Sequence, residues 1–379
     1  MSVKAVVPSS LVFLCGARDF HAMDWYRRAK ELLPDVDICI LTDLIAGEGF
    51  KKLVDQTDKV FNLVIIDRLL LTTQSGLGNV WRNLIKVLVF PIQVALVRKF
   101  ARRNPGAIYY AHSMYYLLLS MAAGIPFVGR PQGSDVLLKA YRSRLFRYFA
   151  VRSMAAAKAV IVDSEKMRNA ILDFSDVPIN VHVIRNGIDI KSIAAATARV
   201  GRRHVEKPGI ISIRGLTPLY RIGEIVSGRN ASRKFPGVPL TFIYPFYQDA
   251  YKKIVSSRLI PSDVELGRVD KPTMYQLLAG AILAISIPRS DSSPRSVFEA
   301  VFCGCAVAIT HHPYYDELPG CMKNRIILVD LTQDDWFDRS LERAIEITQK
   351  PYQPSERALK AFNQDNTFRE MQALLFIET

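Results

Sequence analysis

Two carboxylates and a predicted helix near residue 295 have the spacing of a ligand-binding βαβ unit. Asp291 lies in a polar turn after the apolar run Gly280–Ile287, and Glu299 follows eight positions later. Gly304 ends the helix that carries Glu299, and a second apolar strand, Ala306–Ile309, comes next. Parallel sheets bind their ligands at loops that follow strands. The residue types suit a ligand that carries both an anionic group and hydroxyls, as a pyrophosphate-linked ribose does.

The start of this helix is a candidate anion site. Ser293 is a suitable N-cap, and Pro294 suits the first helical position. The amides of Arg295, Ser296 and Val297 would then lack partners within the helix and, together with the helix dipole, would attract a phosphate. An ordinary capped helix has the same sequence pattern, so this segment alone leaves both interpretations open.

A second candidate loop follows Gly209–Ile213, the first predicted strand of the second half. Its sequence is RGLTPLYR, and Arg214 and Arg221 each offer a guanidinium that can bind a pyrophosphate through two N–H groups. The dinucleotide-binding pattern G-x-G-x-x-G does not occur in this loop. An exposed loop without a ligand is an equally good interpretation of this segment alone.

Glycine and polar residues also follow predicted strands in the first half, where a parallel sheet places its ligands. They are Gly16 and Arg18 after the first strand, His112 at the end of another, and Gln132, Gly133, Ser134 and Asp135 after a third. We expect Gly133–Asp135 to form a turn, because these residue types are frequent in turns. A lone histidine at a strand end is more often structural than catalytic. The group is predicted to line a cleft.

Apolar runs alternate with helical patterns along almost the whole chain, which predicts an α/β fold of two doubly wound, Rossmann-like domains facing a cleft. The domains are expected at 1–190 and 191–350, and a C-terminal helical segment at 351–379 is expected to pack back on the first domain. A helical stretch is predicted over Leu138–Ala157, and a connection between the domains over Ile193–Lys207.

Thirteen strands are predicted from these apolar runs. In the first half they are Ala5–Cys15, Val36–Leu41, Val60–Ile66, Ala107–Ala111, Pro126–Val128, Ala159–Val162 and Val181–Ile184. In the second half they are Gly209–Ile213, Leu240–Tyr244, Val264–Leu266, Ala281–Ile287, Ala306–Ile309 and Ile326–Val329.

The chain has 379 residues and a formal net charge of +14. This excess of Lys and Arg favours a polyanion or an anionic surface as a neighbour, although a solubilising role explains it equally well. The apolar stretch Leu84–Val97 is too short to cross a bilayer and is expected to be buried, whereas the basic residues after it favour a membrane interface. Five cysteines without zinc-site spacing, and no N-terminal signal pattern, predict reduced thiols in a cytosol.

In their order along the chain these motifs resemble those of retaining glycosyltransferases of family 4, which have the GT-B fold. The resemblance covers nearly the whole chain and includes AHS at His112, GSDV at Gly133–Val136, NGID at Asn186–Asp189 and the Arg214 loop. Its most specific part is Asp291–Gly304. There the form D-x-x-P-x-S-x-x-E-A resembles a recurrent branch of the family.

The resemblance implies a nucleotide-sugar donor site in the second domain. Glu299 would bind the ribose hydroxyls, Asp291 would hold hydroxyls of the donor sugar as the catalytic carboxylate, and Arg214 would bind the pyrophosphate. The further donor contacts implied are Arg221, Pro294, Arg295 and Ser296. No cofactor and no obligatory metal are implied, because arginine and a helix N-terminus stabilise the leaving phosphate. The D-x-D triplet at Asp35–Asp37 lies away from the expected cleft, and we interpret it as structural.

The chain differs from the family pattern at four places. Asp291 stands where the first acidic residue is usually Glu, and Gln132 stands where a histidine often precedes the Gly-Ser-Asp turn. Gly16-Ala17 replaces a Gly-Gly loop, and Arg221 lies near the position of the usual phosphate-binding lysine. The first two differences bear most directly on catalysis.

We therefore predict a glycosyltransferase that moves a sugar from a nucleotide-sugar to a glycan or a lipid-pyrophosphate-linked glycan during surface polysaccharide or glycolipid synthesis. It is expected in the cytoplasm, with peripheral contact to the anionic inner face of the cell membrane. The alternative is a non-catalytic GT-B protein that binds a nucleotide or glycan and acts through a partner. No nucleic-acid partner is expected, because no binding motif accompanies the basic charge.

Overall fold

The computed structural model describes residues 10–17, 19–43, 45, 48–51, 53–64, 76–200 and 209–376. The chain divides into two compact units, which we call the first and second domains. The first comprises Met1–Arg185 and Thr367–Thr379, and the second comprises Asn186–Asn366. Residues 351–366 therefore lie in the second domain, and only the last part of the chain returns to the first.

In the described part of the first domain, seven parallel strands form one sheet in the order β3-β2-β1-β4-β5-β6-β7. They are β1 Ser10–Leu14, β2 Asp37–Thr42, β3 Lys59–Asn62, β4 Ile108–His112, β5 Phe127–Arg130, β6 Ala159–Val162 and β7 Val181–Val183. All seven predicted strands are present; positions 5–9, 65 and 66 of the predicted runs lie outside the described residues. Successive side chains alternate between the faces, so Leu11 and Phe13 enter one core and Val12 and Leu14 the other.

Helices cover both faces of this sheet. They are α1 Phe20–Leu32, α2 Glu48–Lys51, α3 Gly76–Arg103, α4 Met114–Ala123, α5 Ala140–Arg142, α6 Arg144–Ala155 and α7 Glu165–Phe174, with a π-helical turn at Asp135–Lys139. Helices α3, α4, α6 and α7 contribute to one core and α1 to the other. The helical stretch predicted over Leu138–Ala157 is helical over most of its length but is interrupted at Ser143. Ser143 has an extended backbone and its hydroxyl accepts from the amide of Phe146 at 3.2 Å, so a separately capped helix begins there.

In the described part of the second domain, six parallel strands follow the order β10-β9-β8-β11-β12-β13. They are β8 Ile210–Ser212, β9 Leu240–Ile243, β10 Val264–Gly267, β11 Leu283–Ser286, β12 Ala306–Ile309 and β13 Ile326–Leu328. All six predicted strands are present. Strands β8, β11 and β12 lie side by side at the centre, which brings the loops that follow them to one edge.

The helices of the second domain pack on both faces of its sheet. They are α8 Ile190–Thr197, α9 Ile222–Asn230, α10 Asp249–Ser256, α11 Lys271–Gly280, α12 Arg295–Phe302, α13 Pro313–Asp316, α14 Gly320–Lys323, α15 Trp336–Thr348 and α16 Glu356–Phe362. The connection predicted over Ile193–Lys207 is wrong for its first part, because Ile193 and Ala196 are buried on α8 in the core of this domain. Residues 201–208 lie outside the described residues.

The last helix, α17 (Gln364–Leu375), starts in the second domain and ends in the first. Its buried residues Phe368, Met371 and Leu375 belong to the same core as α1. The ring of Phe368 stacks on Trp25 with centroids 6.2 Å apart. The end of the chain thus supplies part of the first domain's hydrophobic core.

No helix within the described ranges is long and apolar enough to cross a membrane. The stretch Leu84–Val97 lies on α3, and its expected burial is wrong for one side of that helix. Val94 and Val97 are buried, but Val87 is 70% exposed and Leu88 63% exposed. The apolar run is long enough for both sides of the helix to be apolar, while the core covers only one.

A buried ion pair joins α9 to the loop before β10. The guanidinium of Arg229 donates to both carboxylate oxygens of Asp263, at 2.7 and 2.6 Å, and both side chains are almost fully buried. Asp263 also accepts from the amides of Leu240 and Ile260. Burial alone would raise the pKa of Asp263, but the bonds from Arg229 and the two amides outweigh it, and the pKa is lowered.

We expect Asp263→Asn to lower the free energy of unfolding by about 3–5 kcal/mol at pH 7, because it leaves a buried guanidinium without its counter-charge. A carboxylate with a lowered folded-state pKa stabilises above its unfolded pKa, and that contribution is lost as the pH falls through the folded value. The difference between wild type and variant should therefore shrink below pH 3.8, the ordinary pKa of the group. Urea unfolding at several pH values measures it. The exposed pair Arg339–Asp335 provides the control, since Asp335→Asn should change little.

Candidate functional site

Arg214, Asp291 and Ser296 come together at the carboxyl edge of the second-domain sheet. Arg214 follows β8, and its guanidinium donates to the Asp291 carboxylate at 2.7 Å and to the Ser296 hydroxyl at 3.1 Å. It also lies over the ring of Tyr220, 4.6 Å from the centroid. The side chains of Arg214 and Asp291 are only 12% and 11% exposed. Three of the residues predicted to contact a donor thus form one preorganised group.

The helix start differs in detail from the prediction. Pro294 is the N-cap and α12 begins at Arg295, so the prediction that Ser293 caps the helix is wrong. The hydroxyl of Ser293 is buried and has no hydrogen-bond partner among the described residues. The amide of Val297 donates to the carbonyl of Pro294 at 3.0 Å and is not free for an anion. Proline reaches the extended backbone angles of an N-cap without strain, which shifts the helix start by one residue.

Glu299 is buried on α12. Three side chains lie close to its Oε1 atom. Lys271 forms an ion pair with it, the Tyr275 hydroxyl donates at 3.0 Å, and the Nε of Arg295 lies 3.6 Å away. Arg295 therefore turns toward Glu299 on its own helix. Sequence analysis missed Lys271 and Tyr275. Their only signal was the pattern Asp270-Lys271-Pro272 after a predicted strand, which marks another helix start.

Two further residues stand beside this group. The buried hydroxyl of Tyr314 has no hydrogen-bond partner among the described residues. Burial and the charge of Asp291 raise its pKa, against the opposing charge of Arg214. Arg221 has a left-handed backbone, with φ of 54°, directly before α9. Among the described residues its side chain takes no part in the contacts that join Arg214, Asp291 and Ser296.

A second polar cluster lies at the carboxyl edge of the first-domain sheet. His112 ends β4 and is buried, with its Nε2 atom 3.7 Å from a carboxylate oxygen of Asp19. That same oxygen accepts from the side-chain amide of Gln132 at 2.6 Å. Asp19 caps α1 with its other oxygen, after the turn that begins at Gly16. Asp19 was missed by sequence analysis, although its place after β1 is the same signal that selected Gly16.

His112 is held neutral. Burial lowers its pKa to about 4, the charges of Arg130 and His21 add to this effect, and Asp19 opposes it. Neither ring nitrogen has a hydrogen-bond partner among the described residues. The next residue, Ser113, has φ of 75° and ψ of 154°, a region that non-glycine residues rarely occupy. This strand end thus combines an unusual backbone conformation with a buried imidazole whose nitrogens make no hydrogen bond to the described residues.

The residues Gly133, Ser134 and Asp135 do not form the predicted turn. Gly133 and Ser134 are already helical, because the carbonyl of Gln132 accepts from the amides of Asp135 and Val136. The carboxylate of Asp135 is buried and accepts from the amide of Met114 at 3.1 Å and from Lys139 at 2.8 Å. Asp135 thus fixes the start of α4 behind His112 and Ser113. The predicted residue Arg18 lies outside the described residues.

Asp37, within the D-x-D triplet, is at the start of β2 and pairs with Lys59 at 2.6 Å. Within the described ranges, no three His, Cys, Asp or Glu side chains are grouped so that they could hold a metal ion. The two clusters above consist of carboxylates, guanidinium groups, hydroxyls, one ammonium group, one side-chain amide and one imidazole.

Known proteins resemble the chain in part of its sequence and in its fold. The sequence profile of Glycosyltransferase Family 4 matches residues 75–192. No curated protein is significantly similar in sequence. Among solved structures, the HepE protein of Anabaena, in complex with UDP and glucose, is 19% identical over 97% of this chain and 99% of its own, with a TM-score of 0.69. Sucrose-phosphate synthase from Thermosynechococcus elongatus is 11% identical over 97% and 98%, with a TM-score of 0.75.

The chain has the GT-B fold. The UDP-forming α,α-trehalose-phosphate synthase of Burkholderia xenovorans has it too, at 12% identity over 97% of this chain and 99% of its own, with a TM-score of 0.70. The family match and these structures together support a glycosyltransferase of GT-B type.

We expect the imidazole of His112 to titrate near pH 4, the value to which burial lowers its pKa. Its proton is bound more readily in the unfolded chain, so native stability should fall as the pH decreases from about 6.5 toward 4. In Asp19→Asn the pKa of His112 should fall further, because the carboxylate that favours the charged ring is gone. NMR titration of the ring measures both values. A titration at the ordinary value of 6.5 in either protein would contradict the buried placement.

Proposed function

We propose that the chain is a retaining, metal-independent glycosyltransferase that uses a nucleotide-sugar donor. The proposal rests on one observation. Arg214 donates a hydrogen bond to Ser296 on α12, and Ser296 lies one helical turn before Glu299. One helix thus links a phosphate-binding group to a diol-binding group. A uridine diphosphate sugar is the first donor to test, because HepE of Anabaena has been solved with UDP-glucose.

The donor would bind to the polar atoms of Glu299 and Arg214 that the protein's own contacts leave unused. Lys271, Tyr275 and Arg295 all contact Oε1 of Glu299, so we assign Oε2 to the ribose hydroxyls. Arg214 would offer its remaining N–H groups to the pyrophosphate, since only two of its five are used by Asp291 and Ser296. Arg221 would add positive charge from the neighbouring loop.

The chemical step would depend on stabilising the leaving nucleotide. As the bond between sugar and phosphate breaks, negative charge develops on the phosphate oxygens, where Arg214 and the N-terminus of α12 can stabilise it. Asp291 would then exchange its bond to Arg214 for hydroxyls of the donor sugar. In this proposal no metal takes part, and the sugar keeps its anomeric configuration.

The first-domain cluster would bind the acceptor, which we propose to be a glycan or a lipid-pyrophosphate-linked glycan. A hydroxyl of the acceptor can donate to Asp19 and accept from an N–H of the neutral His112 ring. Gln132 already holds the Asp19 carboxylate in place. This assignment places the enzyme in surface polysaccharide or glycolipid synthesis, in the cytoplasm and in peripheral contact with the membrane.

We expect Glu299→Ala and Arg214→Ala each to weaken nucleotide-sugar binding on the order of 100-fold and to abolish transfer, because each removes charged hydrogen bonds. Calorimetry with UDP-, GDP-, ADP- and dTDP-sugars, followed by transfer assays, measures both effects. Glu346→Ala and Arg343→Ala are the matched controls, because this exposed pair lies on α15. Wild-type transfer in either site variant would refute the assignment. Tight binding without turnover on any acceptor would instead favour the non-catalytic alternative.

The stereochemical course and the metal requirement form a separate prediction. The product should keep the anomeric configuration of the donor, which the coupling constant of the anomeric proton reports by NMR. Transfer should continue in excess chelator, because the positive charge on the leaving phosphate comes from the protein. Inversion of the configuration, or loss of activity that Mg²⁺ restores, would contradict this mechanism while leaving the donor site intact.

A further inference from the structure

The net charge of the chain is concentrated in one segment. Residues 76–158 contain thirteen Lys and Arg but a single acidic residue, Asp135. The rest of the chain is nearly balanced, with 37 basic and 35 acidic residues. A charge that served solubility alone would have no reason to collect in one segment.

Three helices of this segment lie on one side of the first domain. The segment contains α3, α4 and α6, and α4 packs between the other two. All three helices bury their inner sides in the same core, above one face of the sheet. The outer sides of α3 and α6 therefore belong to the same side of this domain.

Large apolar side chains are exposed on that side. On α3, Val87 and Leu88 are the most exposed, and on α6 Leu145 is 68% and Tyr148 55% exposed. Phe149 is also exposed beside Tyr148, and their rings are in edge contact. Large apolar side chains exposed together on one side of a domain indicate an interaction site.

Arginines lie among these side chains without counter-charges. Arg142 and Arg144 are exposed and flank the start of α6, next to Leu145. In the described part of the chain neither takes part in an ion pair. Their charge is therefore available to an anionic partner, and aliphatic and aromatic groups lie beside it.

We propose that this side of the first domain, which we call the α3–α6 surface, docks on an anionic lipid bilayer. We define it by Val87, Leu88, Arg142, Arg144, Leu145 and Tyr148. Arginine binds lipid phosphates, tyrosine suits the headgroup region, and the aliphatic side chains enter the hydrocarbon boundary. A nucleic acid would leave the aliphatic groups in water, and a second copy would bring two strongly positive surfaces together.

The proposal deepens the proposed function, which places the acceptor at a membrane, but it rests on different residues. Vesicle binding is measured without donor or acceptor, so its failure is distinguishable from a failure of catalysis. If the enzyme transfers sugar to a soluble acceptor but does not bind vesicles, the proposed activity holds and the proposed membrane-binding surface is wrong.

The test is flotation of the whole protein with vesicles made of equal parts of phosphatidylcholine and phosphatidylglycerol. Binding is expected, and it should weaken as salt is added and be much weaker with pure phosphatidylcholine. Arg142→Gln with Arg144→Gln should lower the affinity about 30-fold, since each basic residue contributes about fivefold. Val87→Ser with Leu88→Ser should lower it by a similar factor without changing the salt dependence.

Matched controls come from exposed residues of the second domain. Ile254→Ser removes a side chain that is 50% exposed on α10, and Arg339→Gln with Arg343→Gln removes two charges from α15. These variants should float like the wild type. Circular dichroism and thermal unfolding confirm that every variant is folded.

Three results would overturn the proposal. The first is absence of binding to the anionic vesicles. The second is equal binding to both kinds of vesicle. The third is loss of binding in the arginine variant alone, with duplex DNA or an acidic protein bound as tightly as the vesicles. That pattern would identify a general polyanion surface in which the apolar residues have no part.

Discussion

Parallel strand pairing brings every strand-following loop of a domain to one edge of its sheet, and both clusters depend on this constraint. In the first domain, Asp19, His112 and Gln132 follow or end β1, β4 and β5, which are neighbours in the sheet. In the second domain, Arg214 and Asp291 follow β8 and β11, which are also neighbours. Residues far apart in the chain therefore lie close together because of the strand order alone. A single antiparallel strand among them would send its loop to the opposite edge.

The same constraint explains how much the sequence predicts. The central strands are buried on both faces and must be apolar along their length, so they are visible as apolar runs, Ala159–Val162 and Ala306–Ile309 with correct ends. Once the strands are placed, the loops that follow them are placed as well. Arg214, Asp291, Ser296 and His112 were identified in this way, from position rather than from residue type.

Side-chain partners are not predictable in this way, because they depend on which groups meet after folding. Nothing near Glu299 in the sequence indicates Lys271, and nothing near Gln132 indicates Asp19, over a hundred positions away. Alternative local hydrogen bonds also compete with the conformation that residue type favours. The serine hydroxyl at 143 caps a new helix where propensity favours a continuous one, and helical bonds to the Gln132 carbonyl outweigh the turn preference of Gly133–Asp135.

The uneven charge of the first domain has a kinetic consequence. Outside residues 76–158, this domain contains 13 basic and 16 acidic residues, so its net positive charge comes from that segment, whose helices α3 and α6 lie on one side. Such a domain has a large electric dipole moment. Near any negatively charged body it will rotate until its positive side leads, within about a Debye length of the surface. The electrostatic torque therefore orients the domain before any side chain contacts the charged surface. The ionic strength sets the distance from the surface at which this orientation begins.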